Sequence, residues 1–339
     1  MPQTVCLIPG DGIGPEVAKA MRLVVDASGA DIEWKIVPAG VEAAEQFGAF
    51  LPKITIDAIR EHKFAIKGPI STPVGKGHTS VNVALRKGLD LYAAVRPVRS
   101  MPGVKTRFEN VDLVIIRENT EGLYSGIENE IVPGVVQSLK ITTRRACERI
   151  ARFAFDYAHQ RDRKKITVFH KANIMKLADG LMLDCVRAVH RADPHGIDYE
   201  ELIIDNGCMQ IVRDPTKFDM LLLENFNGDF ISDLAAGLVG GLGVVPGANI
   251  GDDCAVFEAV HGSAPDLAGK NVANPLALIM SAVMMLRYMD QETVAVRIRN
   301  AYDETLSEGD PAELTRDLGG TASTTGFAKA LVRRLERGD

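Results

Sequence analysis

The chain has 339 residues, of which 46% are hydrophobic and 25% charged, and its net charge is −6 at pH 7. This composition is typical of a globular protein, and the length predicts two domains. An acidic chain without a basic cluster offers no surface for nucleic acid. No apolar run reaches the roughly 18 residues that a membrane span requires. The sequence therefore predicts no nucleic-acid or membrane partner, and an anionic substrate would require a local cluster of Arg or Lys.

The cysteines are odd in number and scattered, and they lack a C-x-x-C zinc spacing. They are Cys6, Cys147, Cys185, Cys208 and Cys254. Reduced thiols of this kind suit a cytosolic protein. The N-terminus enters an apparent strand at residues 4–8, without a visible signal or transit peptide. We therefore expect a cytoplasmic location and a structural role for the thiols.

A glycine loop follows the first predicted strand. The apolar run 5–8 leads into the loop 9–16 and then into a helical pattern that extends to about residue 27. The loop reads G-x-G-x-G-P, whereas the dinucleotide fingerprint is G-x-G-x-x-G. This spacing argues against a Rossmann pyrophosphate loop and favours a tight strand-to-helix turn near a ligand.

Strand patterns at 32–37 and 64–67 alternate with helical patterns. Such alternation predicts a mainly parallel sheet that is covered on both faces. Ligands of these sheets bind beyond the carboxyl ends of the strands. The glycine-rich loop 70–79 lies at such an end, so we expect it near the site.

Three arginines are prominent in this acidic chain. Arg96 and Arg117 directly follow the apolar runs 91–95 and 112–116, and Arg86 lies a short distance before them. One arginine at a strand end is usually solvated or salt-bridged. Because guanidinium groups bind carboxylates with two parallel hydrogen bonds, the three together favour a site for a polycarboxylate.

The sequence around Tyr124 and Lys171 says less about their roles than the sequence around the arginines does. Tyr124 lies in the polar loop 118–126, ahead of an extended β excursion, and a lone tyrosine in a loop usually serves packing. Lys171 follows the apolar run 166–169 at a strand-to-helix junction. It is either a surface lysine or a desolvated general base.

The stretch 225–238 opens with an Asn-Gly turn and continues as a helix, with Asp229 as the expected N-cap. Asp229 and Asp233 are then four residues apart on one helix face, where two carboxylates repel each other. Either they cap the helix and favour its positive end, or they bind Mg²⁺ or Mn²⁺. Asp205 also follows a predicted strand.

Five motifs occur in order along nearly the whole chain. They are residues 8–16 (IPGDGIGPE), 117–124 (RENTEGLY), 170–176 (HKANIMK), 227–233 (NGDFISD) and 261–265 (HGSAP). Together they resemble the β-decarboxylating dehydrogenases, which act on isocitrate, 3-isopropylmalate, homoisocitrate or tartrate. Chance agreement of five long motifs in one order is remote.

The resemblance implies an α/β protein with the isopropylmalate dehydrogenase-like fold, in which two α/β domains enclose a cofactor site that is not of the Rossmann type. It implies a large cofactor domain from residues 1–97 and 240–339. Residues 98–239 would form a small domain that carries the dimer interface and a β excursion near 124–142. It also implies a homodimer whose two chains build each active site together.

The resemblance also implies roles for single residues. Tyr124 matches the general acid, and Lys171 of the partner subunit matches the group near the hydroxyl that loses its proton. Asp229 and Asp233, with Asp205 of the partner subunit, match the metal ligands. The implied substrate contacts are Ser80, Asn82, Arg86, Arg96 and Arg117, and the implied cofactor contacts are Thr72, Asn82, His261, Gly262, Asp266, Leu267 and Asn274.

Two pairs of residues decide the expected substrate and cofactor. Ser80 and Asn82 match the pair that meets the third carboxylate in isocitrate dehydrogenases, and an isopropyl group would leave them unpaired at a cost of about 1–3 kcal/mol. Asp266-Leu267 occupies the place of a Lys-Tyr pair in NADP-using relatives. Asp266 would accept hydrogen bonds from ribose hydroxyls and repel a 2′-phosphate by about 4 kcal/mol per unit charge at about 4 Å. We therefore expect isocitrate and NAD⁺.

The implied reaction is the metal-dependent oxidative decarboxylation of isocitrate to 2-oxoglutarate and CO₂. The alternatives are the same chemistry on homoisocitrate or 3-isopropylmalate, and a non-catalytic regulatory subunit of a heteromeric isocitrate dehydrogenase. Regulatory subunits typically lose site residues. The matched catalytic, metal and arginine positions are all present here, which argues against that alternative.

Overall fold

The computed structural model describes residues 2–71 and 80–337, so the cofactor contact predicted for Thr72 lies outside the described residues. Within these ranges the strands are β1 Gln3–Ile8, β2 Ile32–Ile36, β3 Phe64–Lys67, β4 Ala93–Arg99, β5 Asp112–Glu118, β6 Gly122–Val132, β7 Val135–Ile141, β8 Lys165–His170, β9 Asp198–Ile203, β10 Met220–Leu223, β11 Pro246–Ile250 and β12 Ala255–Ala259. The helices are α1 Gly14–Ala27, α2 Val41–Phe47, α3 Lys53–His62, α4 Val81–Gly88, α5 Arg144–Gln160, α6 Ala178–Ala192, α7 Ile204–Arg213, α8 Asn225–Leu238, α9 Leu276–Tyr288, α10 Glu292–Glu308 and α11 Thr324–Arg337.

One large sheet organises the described residues, in the strand order β2-β1-β3-β12-β11-β4-β5-β10-β8-β9. Both flanks are parallel, as the alternation of strands and helices predicts. The centre is not: β11 is antiparallel to both β12 and β4, and β4 is antiparallel to β5. Three reversals separate the flanks, so their strands run in opposite directions and their carboxyl ends lie at opposite edges.

The core is formed by apolar strands covered by helices on both faces. The side chains of β10 are fully buried, and its sequence is an unbroken apolar run, as expected for a central strand. Helix α9 is apolar around most of its circumference because it packs against β11 and β12 on one side and against α1 and α10 on the other. None of the described helices is long and apolar enough to cross a membrane.

Strands β6 and β7 form a separate two-stranded sheet within the stretch where a β excursion was predicted. The strands from residues 1–97 and 240–339 occupy one side of the large sheet, from β2 to β4, and those from 98–239 occupy the other side, although β4 crosses the boundary and ends at Arg99. The division of the chain into two domains at these boundaries stays a prediction.

Several local predictions are wrong. Helix α8 begins at Asn225 rather than near Asp229, because the Glu224 carboxylate caps it by accepting hydrogen bonds from the backbone N–H groups of Phe226 (3.2 Å) and Asn227 (2.8 Å). Arg96 and Arg117 do not follow strands: Arg96 lies inside β4, which pairs with neighbours on both sides, and Arg117 lies inside β5. Tyr124 lies inside β6 rather than in a polar loop. The Asn-Gly dipeptide at 227–228 is therefore helical, and Arg96 projects from a face of the sheet.

Candidate active site

Strand register brings a row of charged side chains onto one face of the sheet. Lys67 of β3 is paired with Glu258 of β12, and Glu258 with Gly247 of β11. Arg96 of β4 lies beside Gly247, where a Cβ would collide with its guanidinium. Because side chains opposite each other in a sheet share a face, Lys67, Glu258 and Arg96 project together. Glycine at 247 leaves the space that the arginine occupies.

Glu258 is the centre of this row. The residue is only 3% exposed, and its carboxylate lies 2.6 Å from Lys67 Nζ, 2.9 Å from Arg96 Nη2 and 3.3 Å from Arg86 Nη2. The Asn249 amide donates a further hydrogen bond of 2.7 Å. Burial alone would raise the pKa of Glu258, but the charges of Lys67, Arg86 and Arg96 hold it well below its ordinary value. One carboxylate thus faces three cations, which leaves a net positive charge on this face.

Arg96 and Arg117 are both almost fully buried. Burial lowers the pKa of Arg96 to about 10 and also lowers that of Arg117, and neighbouring arginines add to the effect in both. The Arg117 guanidinium donates to Asn225 Oδ1 (2.7 and 3.1 Å) and to Asp229. With a pKa near 10, Arg96 stays charged at neutral pH.

Gly228 lets helix α8 approach Arg117 closely. A Cβ at this position would lie 2.6 Å from Arg117 Cγ and 2.8 Å from its Cβ, which is closer than carbon atoms can approach. The glycine is in the first turn of the helix, one residue before Asp229. The close approach is therefore what places the Asp229 carboxylate against the guanidinium.

Tyr124 joins the same group. Its hydroxyl donates to Asp229, and its ring lies 5.1 Å from the Arg117 guanidinium carbon. Desolvation, followed by the hydrogen bond and charge of Asp229, raises the pKa of Tyr124. The phenol is therefore protonated at neutral pH. It carries this proton at the edge of the group formed by Arg86, Arg96 and Arg117, which we call the arginine cluster.

Asp229 and Asp233 lie on one face of α8, four residues apart. Desolvation and then the charge of Asp229 raise the pKa of Asp233, although its side chain is exposed to solvent. Two carboxylates that repel each other fit a hard divalent cation. No group of three His, Cys, Asp or Glu side chains suited to a metal occurs among the described residues, so the pair alone would leave a site to be completed by substrate, water or another chain.

Lys171 and Asp205 form a second group. The Lys171 ammonium is paired with Asp205 at the start of α7, and the Lys171 backbone N–H donates to Asp179 Oδ2 (2.7 Å). The hydrogen bond from Lys171 lowers the pKa of Asp205. In the described part of the chain, no hydrogen bond or ion pair connects these two side chains to Asp229 or Tyr124.

Two of the predicted cofactor contacts have unused hydrogen-bonding atoms. Asn82 Oδ1 and His261 Nε2 are buried without a partner among the described residues. Such atoms usually have a partner in the functional state, so a polar ligand fits both positions. His261 Nδ1 lies 3.1 Å from the Gly262 carbonyl, and burial lowers the pKa of His261. The imidazole is therefore neutral near pH 7.

The other predicted contacts differ in their surroundings. Asp266 and Leu267 are exposed in a short 3₁₀ turn after His261, so both are accessible to a ligand. Asn274 is buried, and its side chain donates to Asp317 (2.8 Å) and accepts from the Leu276 backbone N–H (2.9 Å). Gly262 is exposed. Ser80 precedes α4 as its N-cap residue.

The glycine loop 9–16 is a packed junction. Asp11 accepts hydrogen bonds from the backbone N–H groups of Val41 and Ser71, both 2.8 Å, and a Cβ at Gly12 would collide with the Ser263 carbonyl. Gly12 also has a positive φ of 59°, which glycine adopts without strain. The loop therefore connects the first turn of the chain to the loops around residues 71 and 263, in agreement with the predicted tight turn.

Sequence reasoning missed Lys67, Glu258, Asn249 and Asn225 as parts of the site. One signal was present: Glu258 is an acidic residue within the apolar run 255–260, where a carboxylate requires a buried cation. Its partners could not be identified without the strand order, because Lys67 and Glu258 are far apart in sequence.

Comparisons with known proteins identify the family of the chain. The family model described as isocitrate/isopropylmalate dehydrogenase matches residues 4–331. The chain belongs to the isocitrate/isopropylmalate dehydrogenase family, which confirms the family and the fold expected from the five motifs.

Individual relatives match over almost their full length. The chain is 51% identical to the mitochondrial catalytic subunit 5 of NAD isocitrate dehydrogenase from Arabidopsis thaliana, covering 98% of this chain and 89% of that protein. It is also 51% identical to a mitochondrial regulatory subunit of NAD isocitrate dehydrogenase from Dictyostelium discoideum, covering 98% and 92%. The crystal structure of isocitrate dehydrogenase from Methylococcus capsulatus superposes with a TM-score of 0.94 at 47% identity, over 99% of each chain.

Proposed function

We propose that the protein catalyses the oxidative decarboxylation of isocitrate to 2-oxoglutarate and CO₂ with reduction of NAD⁺. The observation that carries the proposal is the row of Lys67, Arg86 and Arg96 around a single carboxylate, with Arg117 close by. This buried positive charge, in a protein of net charge −6, fits a substrate with several carboxylates. Ser80 and Asn82 at the start of α4 favour a third carboxylate over an isopropyl group.

Arg96 and Arg117 are fixed by hydrogen bonds to Glu258 and Asn225, so they present their charge without reorganisation when substrate binds. Tyr124 holds its proton because its pKa is raised, which suits it to protonate a carbanion carbon after loss of CO₂. Lys171 is the proposed group near the substrate hydroxyl, where it assists proton removal directly or through water.

NAD⁺ supplies the hydride acceptor, and a divalent cation, Mg²⁺ or Mn²⁺, lowers the pKa of the substrate hydroxyl and stabilises negative charge when bound. Asp229 and Asp233 would hold the metal, with Asp205 of the partner subunit. Asn82, His261 and Asn274 would hold the nucleotide, with Asp266 facing the ribose hydroxyls. The unpartnered atoms of Asn82 and His261 support this placement.

A homodimer with shared sites is part of the proposal. Lys171 and Asp205 pair with each other rather than with Asp229. Exposed apolar side chains lie close in sequence to Lys171 and Asp229: Leu177 is 90% exposed, Ile174 69% and Phe230 62%. Apolar surface of this kind favours burial against a second chain. An isologous interface would bring Lys171 of the partner subunit to the metal carboxylates.

The test is the initial rate of NADH or NADPH formation by the purified protein with Mg²⁺. Isocitrate, homoisocitrate and 3-isopropylmalate are compared, each with NAD⁺ and with NADP⁺. We expect isocitrate with NAD⁺ to lead by about a hundredfold, or about 2.7 kcal/mol in the barrier. A preference for another acid would show that Ser80 and Asn82 do not set specificity.

A regulatory subunit is the second candidate, because one close relative is named as such. A purified protein without activity on any substrate pair, which raises the rate of a separate catalytic chain, would establish it. The cytoplasmic location is also a proposal. Its support is that Cys6, Cys147, Cys185, Cys208 and Cys254 are all unpaired, as in a reducing compartment, and cell fractionation with an antibody against the protein tests it.

A further inference from the structure

A cavity of about 560 Å³ lies on the face of the sheet opposite the candidate active site. Its floor includes Val95 of β4, Val114 of β5, Ala248 of β11 and Phe257 of β12. These residues alternate along their strands with those that project into the active site, so the two sites share strands but not side chains. The volume is typical of a small-molecule site.

The cavity is lined by aromatic rings from helices on both sides. Phe153 and Tyr157 of α5 are stacked with ring centroids 6.0 Å apart and an interplanar angle of 29°. Tyr288 at the end of α9 lies edge-on to Phe257, with a centroid separation of 5.9 Å. Flat apolar surfaces of this kind favour a flat or aromatic ligand.

Its polar lining is predominantly cationic. The five arginines are Arg99, Arg161, Arg163, Arg287 and Arg299, whereas the carboxylates in the lining are Asp112 and Asp156. Much of this positive charge is neutralised by nearby carboxylates, because Arg99 and Arg299 both pair with Asp303. The attraction for an anion therefore depends on the arginines that keep free hydrogen-bond donors.

Two of these arginines keep unused hydrogen-bonding capacity. Arg161 is paired with no carboxylate in the described part of the chain, and its guanidinium lies 5.9 Å from the Tyr157 ring. Arg287 reaches Glu292 at 3.1 Å, but its Nε is buried without a partner among the described residues. A buried donor without a partner is costly, so a ligand oxygen fits this position.

Three arginines of the lining act electrostatically on the Tyr157 hydroxyl. Burial raises the pKa of Tyr157, while the charges of Arg161, Arg163 and Arg287 act in the opposite direction. Arg163 is already engaged with Asp112 (2.7 Å) and Asp219 (2.9 Å). Arg161 and Arg287 are therefore the donors left to bind an anion beside the ring.

We propose that this cavity is a second binding site, for an organic anion in which a flat or aromatic body carries a carboxylate or a phosphate. The body lies against Tyr157 and Phe257, and the anionic group accepts hydrogen bonds from Arg161 and Arg287. The proposal is independent of the proposed enzymatic function, since no residue given a role there lines the cavity.

The test uses the fluorescence of the dye 8-anilinonaphthalene-1-sulfonate, a flat aromatic anion, which is excited directly. Saturating NAD⁺ is present to keep the dye out of the cofactor site. Four full-length proteins are titrated: the wild type, Arg161→Glu, Met284→Trp and the control Arg191→Glu. Arg161→Glu reverses a charge in the cavity, and Met284→Trp fills it. Arg191→Glu makes the same charge change on an exposed position of α6. Phenyl phosphate and benzoate are the competitors.

We expect each cavity variant to bind the dye about tenfold more weakly than the wild type, with the control unchanged. Displacement by phenyl phosphate or by benzoate then identifies the anionic group. Equal affinity in all four proteins, or displacement by neither competitor, would overturn the proposal. A loss confined to Met284→Trp would overturn the anion-binding role of Arg161. Circular dichroism of each variant checks that it is folded.

Discussion

At the scale of single residues, Glu258 has the most demanding position. It is a buried carboxylate on which Lys67, Arg86 and Arg96 converge, so it must be ionised for these cations to be tolerated. Removing one partner of a buried charge network leaves the others uncompensated, at a cost of about 3–5 kcal/mol. The carboxylate thus supports both the fold and the orientation of the arginines.

Glu258→Gln is therefore expected to lower the free energy of unfolding by about 3 kcal/mol or more. The exposed pair of Lys53 and Asp57 offers a matched control, because Asp57→Asn should cost less than about 1 kcal/mol. Urea denaturation at pH 7 measures both. An equal effect of the two substitutions would contradict the role of Glu258.

The same substitution changes the pH dependence of stability. The folded-state pKa of Glu258 is lowered, so its stabilising contribution is fully present above its ordinary value of 4.5 and is lost as pH falls below that value. The free energy of unfolding of the wild type should therefore decrease more steeply in acid than that of Glu258→Gln, where this titration is absent.

The pKa of Asp233 is shifted in the opposite direction to that of Glu258. Its pKa is raised by desolvation and by Asp229, so its ionised form destabilises the metal-free protein at neutral pH. Asp233→Asn should raise the melting temperature of the metal-free protein and reduce the further increase that Mn²⁺ produces. Thermal denaturation with EDTA and with Mn²⁺ measures both effects. A variant that responds to Mn²⁺ as the wild type does would exclude Asp233 from the metal site.

Some of these residues could be recognised from the sequence and others could not. Arg96 and Arg117 could be predicted because arginines after apolar runs are conspicuous in an acidic chain. The shared helix face of Asp229 and Asp233 could be predicted from their spacing. Glu258 and Lys67 could not be paired, because only the register between β12 and β3 brings them within hydrogen-bonding distance.

At the scale of elements, helix α8 positions Asp229 by its close contact with β5. Gly228→Ala would push a methyl group into Arg117 and should cost about 1–3 kcal/mol of stability through overpacking. The displaced guanidinium should also raise the KM for isocitrate. Steady-state kinetics and urea denaturation measure the two effects.

Gly237 of the same helix is the matched control. Nothing lies within 4 Å of a Cβ built there, and the residue is exposed. Gly237→Ala should therefore leave the KM unchanged and stabilise the helix by about 0.5–1 kcal/mol. If Gly228→Ala behaves like Gly237→Ala, the close approach of α8 to Arg117 has no functional role.

Element boundaries were predictable where capping and periodicity agree. The apolar periodicity of α1 and the run 64–67 were located closely from the sequence. The start of α8 was missed because Glu224, an uncommon capping residue, competes with the more usual Asp229. Strand β4 was predicted at 91–95, too close to the N-terminus, because its interior contains Arg96 and Pro97, which rarely occur inside a strand.

At the scale of the whole molecule, the proposal of shared sites makes a quantitative prediction. Lys171→Met and Asp229→Asn should each be inactive as homodimers. Coexpressed, half of the dimers are mixed, and one of the two sites in a mixed dimer has neither substitution. Activity should recover to about a quarter of the wild-type value for an isologous dimer.

The coexpressed proteins are compared with the two variants mixed after separate purification under conditions in which the chains do not exchange. Recovery only on coexpression supports shared sites. No recovery, with mixed dimers demonstrated by two affinity tags, would show that Lys171 and Asp229 act within one chain.

The sheet as a whole was only partly predictable. Alternating strands and helices correctly predict parallel flanks, but the antiparallel centre depends on β4 and β11, which are far apart in the sequence. Arg96 and Arg117 lie inside the antiparallel strands β4 and β5, so the arginine cluster lies on a face of the sheet rather than at one carboxyl edge. A site on such a face cannot be located by listing the residues that follow strands.

Strand β4 connects the two faces. Its even-numbered residue Arg96 belongs to the arginine cluster, and its odd-numbered residues Val95, Pro97 and Arg99 face the cavity. Within its seven residues, the strand therefore contributes alternate side chains to the arginine cluster and to the cavity. A one-residue insertion would exchange the two sets, placing a guanidinium in the cavity and an aliphatic side chain in the arginine cluster. The length of this segment is thus constrained more tightly than the identity of any one of its residues.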